Sequence, residues 1–286
     1  MNPDVFSARR AAFRKLHESG FFLIPNPWDV GTARMLRSLG FKALATTSSG
    51  LAFSQGLPDA DWAVPRDVAL EHIRQIASSV DLPINADFES GYAHSSEEIG
   101  ENVRLCVATG VAGLSIEDAT GHADKPLYDF SLAVERIRAA REAVGSSGVL
   151  LTARAECFLV NCSDPLRESI KRLTAYAEAG ADVLYAPGAA SRAEVETIVQ
   201  AVRPKPVNVL VSGSRAMSLQ ELAALGVRRV STGSALARTA WSGFLHAARV
   251  MARDNSMEGL DGAVPFSELN NFFRKDLAER AIDDAN

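Results

Sequence analysis

The chain has 286 residues, 47% of them hydrophobic and 23% charged, with a formal net charge of −5. These values are typical of a globular chain with enough apolar material for one large domain or two smaller ones. The scattered basic residues argue against a nucleic-acid partner. No apolar run approaches the roughly 18 residues that a membrane span requires, so we expect no membrane partner either.

The N-terminal residues 1–20 mix apolar and charged positions, which predicts an amphipathic helix rather than a signal peptide. The three cysteines, Cys106, Cys157 and Cys162, follow neither a metal-site nor a disulfide spacing. We therefore expect a reducing, cytoplasmic setting. Cys157 and Cys162 follow the TARAE run, but neither has a histidine neighbour in sequence, so packing is the better interpretation of both.

Short runs rich in β-forming residues recur along the chain with helical patterns between them. The predicted strands are residues 21–25, 42–47, 82–87, 112–118, 148–154, 181–187, 206–211 and 228–233. The segment 164–180 is a typical intervening helix, since it opens with Asp164 as a cap, has Pro165 in its first turn and closes on Gly180. The phrase helix, glycine, strand also occurs at Gly40, Gly110 and Gly226, which indicates helix C-termini.

Eight strand–helix units without a linker-like stretch predict a single (β/α)8 barrel domain spanning residues 1–286. In this division residues 1–20 form the N-terminal helix, 21–240 the barrel and 241–286 a helical extension. The alternative, an open doubly wound sheet, calls for a glycine-rich phosphate loop after the first strand. The segment IPNPWDVGTA is not such a loop.

Polar residues gather where the predicted strands end, which is the rim where barrel enzymes carry their chemistry. These candidate site residues are Asp59, Asp61, Asp87, Glu89, Glu117, Asp118, Arg154, Glu156 and Asn208. Asp87 and Glu89 are two apart, as are Arg154 and Glu156, so each pair faces one side of its strand. Carboxylates this close repel one another unless a cation lies among them. A purely structural network is the alternative, but the pattern favours a hard divalent cation such as Mg²⁺.

The motifs IPNPWDVGTARMLRSLGFKALATTSSG, LPD, ADFESGY, IED and ARAE, in this order, resemble the isocitrate lyase/phosphoenolpyruvate mutase superfamily from about residue 10 to 240. The resemblance implies a (β/α)8 barrel that binds Mg²⁺, with Mn²⁺ as an alternative. It further implies chemistry on a bond beside a 2-oxo or 2-hydroxy acid, through an enolate-like intermediate.

The resemblance also implies roles for individual residues. Ser49 and Gly50 match the residues that hold the substrate carboxylate, and Trp28 with Asp29 matches an aromatic–Asp pair near the substrate. For Trp28, packing under the first loop is an equal alternative. The implied metal site consists of Asp87, Asp59, Glu89 and Glu117. Arg154 matches an arginine that contacts substrate oxygens, and we add Asn208 to the expected substrate contacts and Glu117 to the catalytic residues.

The sequence departs from this family at two places. Glu89 stands where Asp is commoner. The loop after Glu117 reads ATGHADKPLYDF and lacks the Lys-Cys-Gly-His run of the cleaving lyases, and no cysteine lies between Cys106 and Cys157. His122 and Lys125 are the loop's only basic groups. The ordinary pKa of a histidine suits proton transfer, so His122 is a candidate catalytic residue, although a solvated loop histidine is the commoner case.

We therefore expect a Mg²⁺-dependent C–C lyase or decarboxylase acting on a small 2-oxo or 2-hydroxy acid, because decarboxylation only returns a proton to the enolate. The alternatives are a C–P mutase or hydrolase of the same superfamily and a non-catalytic 2-oxo acid-binding descendant. A sugar-phosphate barrel using Ser231, Thr232 and Gly233 is a further alternative. The sequence does not name the substrate.

The C-terminal segment is longer than a barrel requires. A long predicted helix follows the eighth strand, and a second amphipathic helix presents Phe266, Leu269, Phe272 and Phe273. Packing under the barrel is one alternative for this apolar face. Superfamily members exchange the eighth helix between subunits, so the resemblance implies a homo-oligomer, expected to be a tetramer.

Overall fold

In the computed structural model, which describes residues 3–60, 62–160, 162–213 and 217–283, the eight predicted strands are all present. They are β1 (Phe22–Ile24), β2 (Leu44–Ala45), β3 (Ile84–Asp87), β4 (Gly113–Glu117), β5 (Leu150–Arg154), β6 (Val183–Tyr185), β7 (Val207–Leu210) and β8 (Arg229–Ser231). Each is shorter than its apolar run because the run continues into the flanking turns.

All seven strand pairings are parallel, in the order β1-β8-β7-β6-β5-β4-β3-β2. At the remaining junction, between β1 and β2, the amide of Ala45 donates to the carbonyl of Pro25 at 3.1 Å. The Asn26 side chain also donates to the carbonyl of Thr46 at 2.8 Å. The sheet is therefore a nearly closed barrel, as the sequence predicts, and not an open doubly wound sheet.

Helices alternate with the strands. They are α1 (Pro3–Glu18), α2 (Val30–Ser38), α3 (Ser48–Ser54), α4 (Arg66–Ser79), α5 (Ser96–Val107), α6 (Phe130–Val144), α7 (Pro165–Glu178), α8 (Arg192–Ala201), α9 (Leu219–Ala224), α10 (Ala235–Asp254) and α11 (Phe266–Asp283). A short 3₁₀ helix (Glu258–Leu260) lies between the last two. None of the described helices is both long and apolar enough to cross a membrane.

The local signals act as expected. Asp164 caps α7 by accepting from the amide of Arg167, and Pro165 occupies its first turn. The glycines at the helix ends, Gly40, Gly110 and Gly180, have φ values of 85°, 93° and 104°. A side chain at Gly110 would meet the ring of Phe6 at 2.4 Å, so both the backbone and the packing require glycine there.

The main core lies between the strands and the surrounding helices, where Ile73, Ile99, Leu114 and Ile116 are at most 2% exposed. A smaller cluster around Phe13 of α1 packs with Phe22, Ala112 and Leu150 near the N-terminal ends of the strands. The chain divides into two compact units, Met1–Leu236 and Ala237–Asn286. The first unit contains the whole barrel, so the candidate site is described within it alone.

Candidate active site at the barrel mouth

A cavity of about 420 Å³ opens at the C-terminal ends of the strands. Its charged lining residues are Asp59, Asp87, Glu89, Glu117, Glu156, Arg154 and Arg229. The structure therefore brings together the acids that the sequence placed at several different strand ends. Asp61 lies outside the described residues.

Arg154 is the centre of this cluster. Its Nη1 lies 2.8 Å from Asp87 Oδ1, its Nη2 3.0 Å from Glu117 Oε2 and its Nε 2.8 Å from Glu156 Oε1. The parallel register β3-β4-β5-β6 places Glu117 beside Arg154, and Arg154 beside Tyr185, at the same height. Three carboxylates thus share one guanidinium, which leaves a net negative charge.

This crowding changes the protonation of the acids. Burial, opposed by Arg154 and reinforced by Glu156 and Asp87, raises the pKa of Glu117 well above its ordinary value. Burial likewise raises the pKa of Glu156. Desolvation and the nearby carboxylates of Asp87 and Asp59 raise the pKa of Glu89 to about 7, against the opposing hydrogen bond from Tyr92. The mouth therefore holds more carboxylate than its cations neutralise.

Serines from the loop after β2 complete this side of the mouth. Both the amide and the hydroxyl of Ser48 donate to Asp87 Oδ2 at 3.0 Å. Desolvation raises the pKa of Asp59, while hydrogen bonds from Ser49 and Ser48 oppose the increase. The contact between Ser48 and Asp87 was not anticipated, because residues 48 and 87 are far apart in sequence and only the β2–β3 pairing brings them together.

The loop after β3 has a strained backbone. Glu89 and Tyr92 have φ values of 47° and 54°, in the left-handed region that side chains other than glycine rarely adopt. Tyr92 Oη donates to Glu89 Oε1 at 2.6 Å. The buried guanidinium of Arg136 donates to the carbonyls of Ala93 and His94, both at 2.6 Å, and thereby holds the loop in place.

Some predicted site residues do not line the cavity. Asp29 is exposed and caps α2, where it forms a capping box with Thr32. The carbonyl of Trp28 lies 2.8 Å from His72 Nε2. Gly50 lies inside α3, where its amide donates to Thr47 Oγ1 at 3.2 Å. These contacts give Asp29 and Gly50 local structural roles.

The loop that carries His122 forms a small ordered flap. An antiparallel bridge joins Ala119 to Leu127, and the amide of Thr120 donates to the carbonyl of Pro126 at 3.0 Å. Ala119, Thr120 and Gly121 line the cavity, whereas His122 is exposed and is not a lining residue. Its ring lies 5.8 Å from that of His94.

Two further residues clarify the earlier alternatives. Cys157 is buried, and desolvation raises the pKa of its thiol to about 12, which fits packing rather than catalysis. The amides of Thr232 and Gly233 donate to Asn26 Oδ1 at 3.0 and 2.9 Å. Since Asn26 already occupies these donors, the structure argues against a sugar-phosphate site there.

The chain matches the phosphoenolpyruvate phosphomutase family over residues 13–252. It belongs to this family. An uncharacterised protein of Mycobacterium tuberculosis is 32% identical over 90% of this chain and 94% of its own length. The oxaloacetate decarboxylase of Paraburkholderia xenovorans is 28% identical over 73% of this chain and 69% of its own length. A crystal structure described as a lyase/mutase from Burkholderia cenocepacia has a TM-score of 0.89 and 47% identity, covering 94% of this chain and 97% of the other.

The resemblance inferred from the motifs is thus confirmed. The superfamily includes lyases, decarboxylases and phosphonate mutases, so membership alone does not decide which bond is broken.

Proposed function

We propose that this protein is a Mg²⁺-dependent C–C lyase or decarboxylase that acts on a small 2-oxo or 2-hydroxy carboxylic acid through an enolate. The observation that carries the proposal is the convergence of Asp87, Glu117 and Glu156 on Arg154 at the mouth of the barrel. The similarity to an oxaloacetate decarboxylase over most of the chain supports it.

The donor set at the mouth fits Mg²⁺. Its side chains offer oxygen ligands, and the raised pKa values of Asp59 and Glu89 show that negative charge is in excess. Among the described residues, no three acids, histidines or cysteines form a ready-made metal cage. Mg²⁺ typically takes only one or two direct carboxylates and retains several waters, so it does not need one. We assign the ion to Asp87, Asp59, Glu89 and Glu117.

When bound, the ion supplies a Lewis acid that polarises the substrate carbonyl. The protein's own groups do the rest. Ser49, with Gly50 behind it, anchors the substrate carboxylate, and Asn208 contacts the substrate from β7. Arg154 is held rigidly by its carboxylates, so it can stabilise the negative charge that develops on the enolate without reorganising.

A proton must then return to the enolate carbon. Glu117 lines the cavity, and burial raises its pKa enough for it to carry a proton near neutral pH. His122 is the alternative donor and reaches the substrate only if its loop moves inward. Neither donor requires the loop cysteine that this chain lacks.

The decisive experiment is a screen of 2-oxo and 2-hydroxy acids with Mg²⁺ or Mn²⁺, with products identified by NMR. Because metal ions alone promote loss of CO₂ from some 2-oxo acids, the Asp87→Ala protein at the same metal concentration is the control. We expect chelation to abolish turnover and either metal to restore it. Asp87→Ala should lose metal binding, whereas Glu156→Gln should only weaken it.

Two outcomes would contradict this proposal. Full turnover by rigorously metal-free protein would exclude a metal requirement. Conversion of phosphonopyruvate, followed by ³¹P NMR, without cleavage of any C–C bond would assign the protein to the C–P branch. Binding without turnover of any acid would indicate a non-catalytic descendant.

A further inference from the structure

The charges that line the cavity are unevenly distributed. Among the described lining residues, Arg154 and Arg229 are the only cations, and they face five carboxylates. All three carboxylates that form salt bridges within the cavity do so with Arg154. No described carboxylate forms a salt bridge with Arg229. The cavity therefore has an acidic mouth around Arg154 and a cationic floor at Arg229.

Arg229 has only neutral partners. Its Nε donates to Asn208 Oδ1 at 2.8 Å and its Nη2 to Thr152 Oγ1 at 3.2 Å. Its Nη1 lies 3.4 Å from His17 Nε2 and 3.5 Å from Asn85 Oδ1. His17 is itself neutral, because burial lowers its pKa to about 3. Burial lowers the pKa of Arg229 to about 10, so the guanidinium remains charged at neutral pH.

The position of Arg229 along the barrel axis follows from these contacts. Thr152 and Arg154 are two apart on β5 and point inward together, so their Cα atoms are about 6.6 Å apart along the strand. The Arg229 guanidinium contacts Thr152, one inward layer below Arg154. A short extended acid bound by one end at the mouth could place its other end near this layer.

Electrostatics selects what that other end can be. A second anionic group would be repelled by the acids at the mouth. At the floor it would meet a buried guanidinium with no anionic partner, where a charged hydrogen bond is strong because the local dielectric is low. A neutral methyl end would gain none of this.

We propose that Arg229 recognises a second anionic group of the substrate, a carboxylate or a phosphonate, and so selects dianionic over monoanionic 2-oxo and 2-hydroxy acids. The proposal rests on the proposed function in one respect, namely that the first end of the acid binds at the mouth.

Two pairs of probes test it, since each pair differs in one anionic group. Malate exceeds lactate by one carboxylate, and phosphonopyruvate exceeds pyruvate by one phosphonate. Binding is measured by isothermal titration calorimetry with Mg²⁺ for the wild type, Arg229→Gln and Arg228→Gln. Arg228 is the matched control, because it is the adjacent arginine and its guanidinium donates to the carbonyl of Gly20 instead of lining the cavity.

The wild type should bind at least one dianion more tightly than its monoanionic partner. Arg229→Gln should weaken that dianion about tenfold and leave the monoanion within about twofold, as expected for loss of one hydrogen bond to a charged group. Arg228→Gln should change neither. The probe pair that responds distinguishes a carboxylate from a phosphonate.

Equal weakening of dianion and monoanion by Arg229→Gln would overturn the proposal, because it would show a structural role for Arg229. Absence of any preference in the wild type would overturn it as well. If Arg229→Gln fails to fold by circular dichroism, a crystal structure of the wild type with the preferred dianion decides. The far anionic group must then lie within hydrogen-bond distance of Arg229, and any other location contradicts the proposal.

These binding results are separate from turnover. A wild type that discriminates through Arg229 but converts no acid would sink the proposed function and leave this inference intact. Turnover without any selectivity at Arg229 would do the reverse.

Discussion

Glu89 stands where the superfamily more commonly has Asp, and the structure shows which neighbour accommodates the longer side chain. Tyr92 Oη donates to Glu89 Oε1 at 2.6 Å, and both residues adopt left-handed backbone conformations within one short loop. The carboxylate is therefore held toward Asp87 and Asp59, whose charges contribute to its raised pKa. The tyrosine and the extra methylene form one positioning unit.

A double-mutant cycle tests this unit through metal affinity. Tyr92→Phe should weaken Mn²⁺ binding about three- to tenfold, because Glu89 loses a hydrogen bond to its charged form. In the Glu89→Asp background the shorter side chain no longer reaches Tyr92, so the same change should cost less than about twofold. Electron paramagnetic resonance of bound Mn²⁺ provides the measurement.

Tyr128→Phe is the control for this cycle, since Tyr128 Oη lies 2.7 Å from His94 Nδ1 rather than near Glu89. It should leave Mn²⁺ affinity unchanged. Equal effects of Tyr92→Phe in both backgrounds would show that Tyr92 acts independently of Glu89.

Among the elements, helix α1 has a testable electrostatic consequence. His17 is 8% exposed, its Nδ1 lies 2.8 Å from the carbonyl of Phe13, and its Nε2 faces Arg229. Burial first, and the charge of Arg229 second, lower its pKa from 6.5 to about 3. The unfolded chain therefore binds a proton below pH 6.5 that the folded protein excludes.

The folded state should accordingly lose stability as the pH falls from 6.5 toward 3. Between pH 7 and pH 5, His17 should account for a loss of about 2 kcal/mol in the free energy of unfolding. Urea unfolding of the wild type and His17→Asn at both pH values measures it. The variant should lack this part of the pH dependence, and identical dependence in both proteins would rule out the assignment.

The flap that spans residues 118–126 is the second element with a prediction. Residues 121–125 are exposed, and the flap is closed on itself by its own hydrogen bonds, while Gly121 at its cavity side provides a flexible point. We predict that it acts as a gate that closes over a bound acid. Hydrogen exchange at residues 121–125 should slow when Mg²⁺ and a substrate or inhibitor bind.

The loop at residues 145–148, between α6 and β5 near the N-terminal ends of the strands, serves as the internal control and should not respond. Unchanged exchange at 121–125 in the presence of a ligand shown to bind would indicate a flap that is permanently open or permanently fixed.

For the whole molecule, the C-terminal unit carries an unusual amount of exposed apolar surface. Phe266 is 84% exposed, Leu277 59%, Phe244 59% and Met257 69%. Exposed apolar surface of this extent is typical of a protein–protein interface. We therefore predict a homo-oligomer, expected to be a tetramer, in which these helices are covered by a second copy and the eighth helix is exchanged.

Truncation after Asn255 removes α11 and should yield smaller, less stable species by light scattering and thermal unfolding. Lys275→Ala is the control on the same helix, since this side chain is 80% exposed and charged. It should leave the assembly unchanged. A full-length protein that runs as a compact monomer at micromolar concentration would refute the prediction.

Much of this molecule is readable in its sequence because the relevant signals are local. The eight strands, the caps and the glycines at helix ends follow from short patterns, and the order of strand and helix excludes an open sheet. The acids at the mouth are predictable for the same reason, since a parallel barrel gathers all strand ends at one rim.

Tertiary structure alone decided the partners of those acids. Ser48 on Asp87, Tyr92 on Glu89 and three carboxylates on Arg154 join residues from different strands, and no local pattern encodes such pairs. Arg229 is the clearest example. In sequence it is one of two adjacent arginines, and only the inward direction of its side chain and the neutrality of its four neighbours make it a buried cation. Periodicity determines where a chain goes, whereas the charge that a side chain meets depends on every strand around it.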